Sequence, residues 1–182
     1  MKPNQNIKER FYNYPTKHWH FEQLLKEAGL SRAQTNAWLK KLLKENMIKR
    51  QKPKGRMPYY FANYQHPHYQ NSKRLYALQQ LQESGLLDYL ASLEKAETVV
   101  LFGSFSRWDW QESSDIDLFL YGNLEAISLG KFMLKLKREI QVFSGKDNHD
   151  LQQIGPALLR NILQGITIKG IIPKEVIIHA AV

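Results

Sequence analysis

The β-branched run Thr98-Val99-Val100-Leu101-Phe102 goes straight into Gly103-Ser104, and ten residues further on the chain reads Asp115-Ile116-Asp117-Leu118-Phe119-Leu120. Each apolar run has the length and composition of a buried strand. Alternate residues of a strand share a face, so Asp115 and Asp117 project together, about 7 Å apart along the chain, while Ile116, Leu118 and Leu120 turn to the other side. Two carboxylates so placed repel each other unless a cation lies between them. This chain therefore has to build a sheet with a buried apolar side and a charged corner, and the glycine turn has to end the first strand near that corner.

The turn and the corner suit the same ligand. Backbone N–H groups at Gly103-Ser104 can form an anion nest, with the Ser104 hydroxyl and the Arg107 guanidinium alongside. Magnesium prefers a few carboxylates together with phosphate oxygens. A nucleoside triphosphate held at Gly103-Ser104 would present its phosphates to metal held by Asp115 and Asp117, the arrangement of an in-line phosphoryl displacement.

Charge divides the chain. Residues 1–64 hold 14 Lys and Arg against 4 Asp and Glu, a surplus of +10, whereas residues 65–182 hold 12 against 13, a balance of −1. A surplus confined to one segment points to a polyanion partner for that segment, most simply nucleic acid. The chain has no cysteine, which excludes disulfides and thiolate metal sites and fits a cytosolic protein. No run reaches the ~18 apolar residues of a membrane span, and the N-terminus has no apolar leader core.

The basic front reads as helices followed by a hairpin. Residues 5–13 form a short helix before Pro15, and Phe21, Leu24, Leu25 and Ala28 have helical spacing with Gly29 as the stop. Ser31 and Gln34 are spaced as a capping box for a second helix. Thr35, Leu39, Leu42 and Leu43 turn inward there, Arg32, Gln34, Asn36, Lys40 and Lys41 turn outward, and Asn46 is a left-handed cap. Strands are predicted in Met47–Lys52 and Met57–Asn63 around the turn Pro53-Lys54-Gly55-Arg56. Two helices joined by a turn as short as Gly29-Leu30-Ser31 form a helix-turn-helix arrangement. With the hairpin as a wing carrying Lys49, Arg50, Lys52, Lys54 and Arg56, most of residues 5–64 resembles the winged-helix regulators of prokaryotes. The resemblance implies DNA binding, with the Arg32-to-Lys41 face in the major groove, Lys52, Lys54 and Arg56 on phosphates, and a homodimer.

Residues 65–94 read as a helical connector broken at Gly85, with Leu75, Leu78, Leu81, Leu86, Leu87 and Leu90 as its apolar stripe. The histidine pairs His18/His20 and His66/His68 read as loop histidines rather than a zinc site. The C-terminal Ile171–Val182 segment, apolar and ending in small residues, reads as an interface strand or as packed core, with core the preferred reading.

The Gly-Ser turn, the ten-residue interval and the Asp-x-Asp strand together resemble the DNA polymerase β-type nucleotidyltransferase superfamily. The wording Gly103-Ser104-Phe105-Ser106-Arg107 and Ser114-Asp115-Ile116-Asp117-Leu118 carries the likeness, which extends over residues 95–170. It implies transfer of a nucleoside monophosphate from NTP to an acceptor hydroxyl. Gly103, Ser104 and Arg107 would bind nucleotide, and Asp115 and Asp117 would bind magnesium or manganese. Trp108 stands where the family often has glycine. The family's third carboxylate would fall at Gln141, with Glu139 on the same face as a substitute catalytic group and Asp147 and Asp150 beyond it. Small members of the superfamily include antitoxins that modify a HEPN-type toxin, so a protein acceptor is among the implied partners.

The expected fold is α+β: a winged helix-turn-helix over 1–64, the connector over 65–94, and a small mixed nucleotidyltransferase sheet with flanking helices over 95–182. Strands are expected near 98–102, 115–121, 139–143 and 166–169, and helices near 125–137 and 152–164. Two functions follow. One is a magnesium-dependent nucleotidyltransferase carried on a DNA-binding wing. The other is a DNA-binding regulator whose nucleotidyltransferase-like domain is catalytically weak or inactive and serves nucleotide sensing or protein contacts.

Overall fold

The computed structural model describes residues 6–123 and 127–181, and the chain divides into two compact units, Met1–Lys73 with Trp110–Glu112, and Arg74–Asp109 with Ser113–Val182.

The first unit runs α1 (Asn6–Asn13), β1 (Trp19–His20), α2 (Phe21–Ala28), α3 (Arg32–Lys44), β2 (Ile48–Gln51) and β3 (Tyr59–Ala62), and it includes the start of α4 (Pro67–Ser84). Local chemistry sets these limits. Gly29 ends α2 at φ +62°, where its backbone N–H reaches back to the last turn. At the start of α3 the Ser31 hydroxyl accepts from the Gln34 N–H at 3.3 Å, and the Gln34 side chain accepts from the Ser31 N–H at 3.0 Å. Asn46 takes φ +54° just past α3. The strands form one antiparallel sheet in the order β1-β3-β2. Trp19, Leu24, Ala28, Leu39, Leu42, Met47, Ile48 and Ala62 are buried in the core of this unit.

Expectation and structure differ at α4. Leu75 is 67% exposed, and the buried face is Tyr69, Lys73, Tyr76, Ala77, Leu81 and Ser84. Leu81, Leu86 and Leu90 of the expected stripe are buried, but the rest of the buried α4 face is aromatic, polar or Ala77 and follows no leucine pattern. The Tyr69 hydroxyl donates to the Phe11 carbonyl at 2.8 Å, and the Lys73 ammonium donates to the Trp110 carbonyl at 2.5 Å while lying over the Trp110 ring. Hydrogen bonding offsets the cost of burying a cation at that position.

The second unit continues with α5 (Leu86–Ala91), β4 (Ala96–Phe102), α6 (Gly103–Ser106), β5 (Ile116–Gly122), α7 (Gly130–Leu136), β6 (Ile140–Gly145), α8 (Asn148–Gln153), α9 (Pro156–Leu163), β7 (Ile166–Lys169) and α10 (Lys174–Ala180). Its mixed sheet has the order β6-β5-β4-β7, with β5 and β6 parallel and β4 antiparallel to both β5 and β7. Val100, Phe102 and Phe119 of the sheet pack with Leu151, Leu159, Ile162, Val176 and Ala180 of the helices.

The helix expected near 152–164 is two helices. Pro156 disfavours helical backbone at Gly155, ending α8 before it and starting α9 as the first-turn proline. The helix expected from residue 125 begins at Gly130, and residues 124–126 lie outside the described residues. At the C-terminal end, α10 buries Val176 and Ala180 but exposes Ile177 and Ile178, so only one side of that segment is core.

Candidate active site

The site forms where β4 ends and β5 begins. Phe102 pairs with Asp117 across the antiparallel ladder, so the Gly103 turn and the second aspartate are adjacent. Gly103 opens α6 at φ +70°, a conformation glycine adopts without steric cost. A Cβ on Gly103 would collide with the Asp117 carboxylate. Glycine is thus required twice over here, once for the turn and once to let the carboxylate lie against the backbone.

Asp115 sits just before β5 and Asp117 on it, both partly buried, while Ile116, Leu118, Phe119 and Leu120 are fully buried. Burial pushes the Asp117 carboxyl above the ordinary aspartate range, the neighbouring Asp115 charge adds to the rise, and Arg107 opposes it. Arg107 is held by a two-pronged pair with Asp109, Nε to Oδ1 at 3.2 Å and Nη2 to Oδ2 at 3.1 Å. The Ser106 hydroxyl donates to the Gly103 carbonyl at 2.9 Å, which fixes the turn, and Ser104 remains half-buried beside it.

The parallel register sets Asp117 opposite Gln141. The Gln141 amide donates to Asp115 Oδ2 at 2.6 Å, so a neutral side chain completes the group. Glu139 is exposed, and its backbone carbonyl accepts from the Ile116 N–H at 2.9 Å. Among the described residues no three acidic or histidine side chains gather closely enough to hold a metal ion. Asp147 and Asp150 are engaged at the start of α8, where Asp147 accepts from the Asp150 N–H and Asp150 accepts from the Lys146 N–H. Arg138, which sequence reasoning passed over, donates to the Ser114 carbonyl at 2.8 Å and lies over the Phe105 ring, so it braces the approach to Asp115. An arginine at the foot of a strand gives no pattern that would have singled it out.

The donor set fits a hard divalent cation. Asp115 and Asp117 would offer it hard oxygen ligands, the donor type that magnesium prefers.

Residues 85–172 match the family model for polymerase beta nucleotidyltransferases. The match takes in just under half of the chain and includes all four strands of the second sheet. The second unit is thus similar to a nucleotidyltransferase domain, and its mixed sheet agrees with that fold. No curated protein matches the chain. Among solved structures, a mutant of the toxin–antitoxin MntA-HpeT is similar at 15% identity, over 59% of this chain and 80% of that one, with a TM-score of 0.33.

In the first unit, Arg32, Gln34, Asn36, Lys40, Lys41, Lys52, Lys54 and Arg56 are all exposed. Arg32 pairs with Glu22 at 2.7 Å, and Lys41 lies over the Trp38 ring. Gln34 has its side-chain oxygen in the helix cap, which limits its use in reading a base edge. His18 stacks on Tyr59 with ring centroids 4.2 Å apart, and His20 Nδ1 lies 3.0 Å from the Pro58 carbonyl. His66 Nδ1 accepts from the His68 N–H at 3.2 Å. Among the described residues of the whole chain, no helix is long and apolar enough to cross a membrane.

Proposed function

We propose that this chain is a magnesium-dependent nucleotidyltransferase carried on a winged helix-turn-helix that binds DNA. The observation that carries the catalytic half is the packing of the Asp117 carboxylate against Gly103, which brings candidate metal ligands and phosphate cradle together within a stretch similar to polymerase beta nucleotidyltransferases. In this reading Gly103 and Ser104 hold the triphosphate through backbone N–H groups and a hydroxyl, and Arg107 adds positive charge. Asp115 and Asp117 hold magnesium, which supplies charge neutralisation to the phosphates when bound. The acceptor oxygen bonds to the α-phosphorus as the bond to the pyrophosphate leaving group breaks, and the acceptor proton passes to a base. The acceptor hydroxyl belongs to a nucleic acid or to a protein partner such as a HEPN-type toxin, a class that rests on the family likeness.

A second reading has a specific observation in its favour. Gln141 occupies the place beside Asp115 where a third carboxylate would act as general base, and an amide cannot accept the acceptor proton. A domain so equipped binds nucleotide and turns it over slowly, and the chain then works as a DNA-binding regulator.

The assay is incubation with labelled nucleoside triphosphates and magnesium, offering protein and nucleic-acid acceptors. Transfer by the wild type that is abolished in Asp115→Ala/Asp117→Ala, with DNA binding intact, supports the first reading. Nucleotide binding without transfer supports the second, and turnover unchanged in the double variant overturns the site. For the DNA half, the helix–hairpin order of the first unit and the exposed Lys40, Lys41, Lys52 and Lys54 are the support. Neutralising those four lysines is expected to weaken DNA binding and flatten its salt dependence. A wild-type protein with no salt-sensitive affinity for DNA would refute it.

A further inference from the structure

The first unit has a cleft of about 540 Å³ lined by His18, His20, Pro53, Arg56, Met57 and Tyr59. We propose that it holds an unpaired base of single-stranded nucleic acid. This rests on the reading above that the first unit binds nucleic acid, and it goes further by naming a second contact, one made to a base rather than to a duplex.

The walls are flat and fixed. His18 and Tyr59 stack at 4.2 Å with 20° between their planes, and Phe61 continues the aromatic surface 5.7 Å from His18 and 6.0 Å from Tyr59. Tyr59 and Phe61 share a face of β3, as alternate strand residues do. The Tyr59 hydroxyl donates to Gln51 Oε1 at 2.7 Å, and the pairing of His20 with Tyr59 ties β1 to β3. The Pro58 carbonyl can only accept, so His20 donates to it from Nδ1, which ties the ring to the hairpin.

Charge identifies the occupant. Arg56 lines the cleft, and Lys52 and Lys54 lie on the same turn. The sequence has no Asp or Glu between Glu45 and Glu83, so no acidic side chain of the hairpin offsets them. Met57 is 72% exposed at the rim, a polarizable apolar surface that a ring would cover. Aromatic walls beside uncompensated cations form a platform for a base with its phosphate. A base in a duplex is stacked on both faces, so only an unpaired one presents a face to such walls.

The test compares four labelled probes by fluorescence anisotropy: a short oligothymidylate, an abasic oligomer of the same length and charge, a duplex of that length, and thymidine monophosphate. The oligothymidylate is expected to bind about tenfold more tightly than the abasic oligomer. Met57→Ala and His18→Ala, both at exposed positions, are expected to narrow that gap, and Tyr59→Ala to abolish it. Equal affinity for the abasic oligomer overturns the cleft, and so does a mononucleotide that binds as tightly as the oligomer. Duplex affinity reports the α3 face and the hairpin lysines rather than a base contact. If the protein binds none of the polymers, the reading of the whole unit fails. If it binds them irrespective of bases, only the cleft fails. The comparison of probes on the wild type needs no variant to fold.

Discussion

Replacing Asp117 by Asn removes one charge from the aspartate pair while keeping the shape that packs against Gly103. Asp115 lies two residues before Asp117 at the entry to β5, and carboxylates about 7 Å apart, the spacing of alternate residues in extended chain, repel by about 0.6–2.4 kcal/mol for effective dielectric constants of 80 to 20. Asp117 is only partly buried, and solvent screening brings the gain toward about 1 kcal/mol. For a chain of this size that is a rise in melting temperature of about 2–4 °C near neutral pH. The pH dependence has a definite sign. The folded-state affinity of Asp117 for its proton is raised above the ordinary value of 3.8, so the native state holds the proton more tightly than the unfolded chain does. The cost of ionised Asp117 is therefore fully present at neutral pH. It is relieved as the pH falls through the raised folded value toward 3.8, and over that window this group makes the fold more stable in acid. The wild type and Asp117→Asn should differ most near pH 7 and converge in acid. Magnesium should stabilise the wild type and have less effect on the variant. Differential scanning fluorimetry across pH, with and without magnesium, measures all of this. A variant no more stable than the wild type at neutral pH, or a magnesium shift of equal size in both, would refute the reasoning.

Two further substitutions probe the same corner. Gln141→Glu places a carboxylate opposite Asp117 and supplies the missing proton acceptor, so magnesium-dependent transfer should rise by about 10²-fold or more, at a cost in stability without metal; an unchanged rate in the labelled-nucleotide assay would count against a missing base. Gly103→Ala drives a methyl group into the Asp117 carboxylate and strains a left-handed backbone, so it should destabilise the fold by about 1–3 kcal/mol and abolish nucleotide binding; calorimetry showing normal nucleotide affinity would contradict the proposed cradle.

Much of the backbone around the candidate site was legible in the sequence because its determinants are local. A glycine turn after a β-branched run and two aspartates at period two depend on backbone geometry within a few residues, and β4 and β5 fall where those patterns place them, with the short helix α6 where a turn was expected. The Ser31–Gln34 cap and the left-handed Asn46 were readable for the same reason. What escaped depends on partners distant in the chain. Leu75 looked like core because it is a leucine at helical spacing, yet burial on α4 follows Tyr69 and Lys73, whose partners Phe11 and Trp110 lie 58 and 37 residues away. The histidines before and in β1 read as loop residues because a two-residue strand leaves no periodic trace. Their stacking on Tyr59 depends on a ladder that pairs residue 20 with residue 59.

Gln141 shows where local reading stops and register begins. From the sequence alone, Glu139 and Gln141 are both candidates for the third position, because a period of two puts them on one face. The parallel pairing with β5 separates them: Gln141 is level with Asp117, and its amide reaches Asp115, whereas Glu139 is exposed beside the start of the strand. An amide in that place does two things a carboxylate would not. It adds no third negative charge to a pair that already repels, and it holds Asp115 through a donated hydrogen bond, so the corner is organised before any metal arrives. If the site transfers nucleotide as proposed, the same amide leaves the acceptor proton without a fixed recipient. Under the proposed function Gln141 therefore favours a stable site that binds nucleotide over a fast one, and the rate gained or not gained by Gln141→Glu decides between the two.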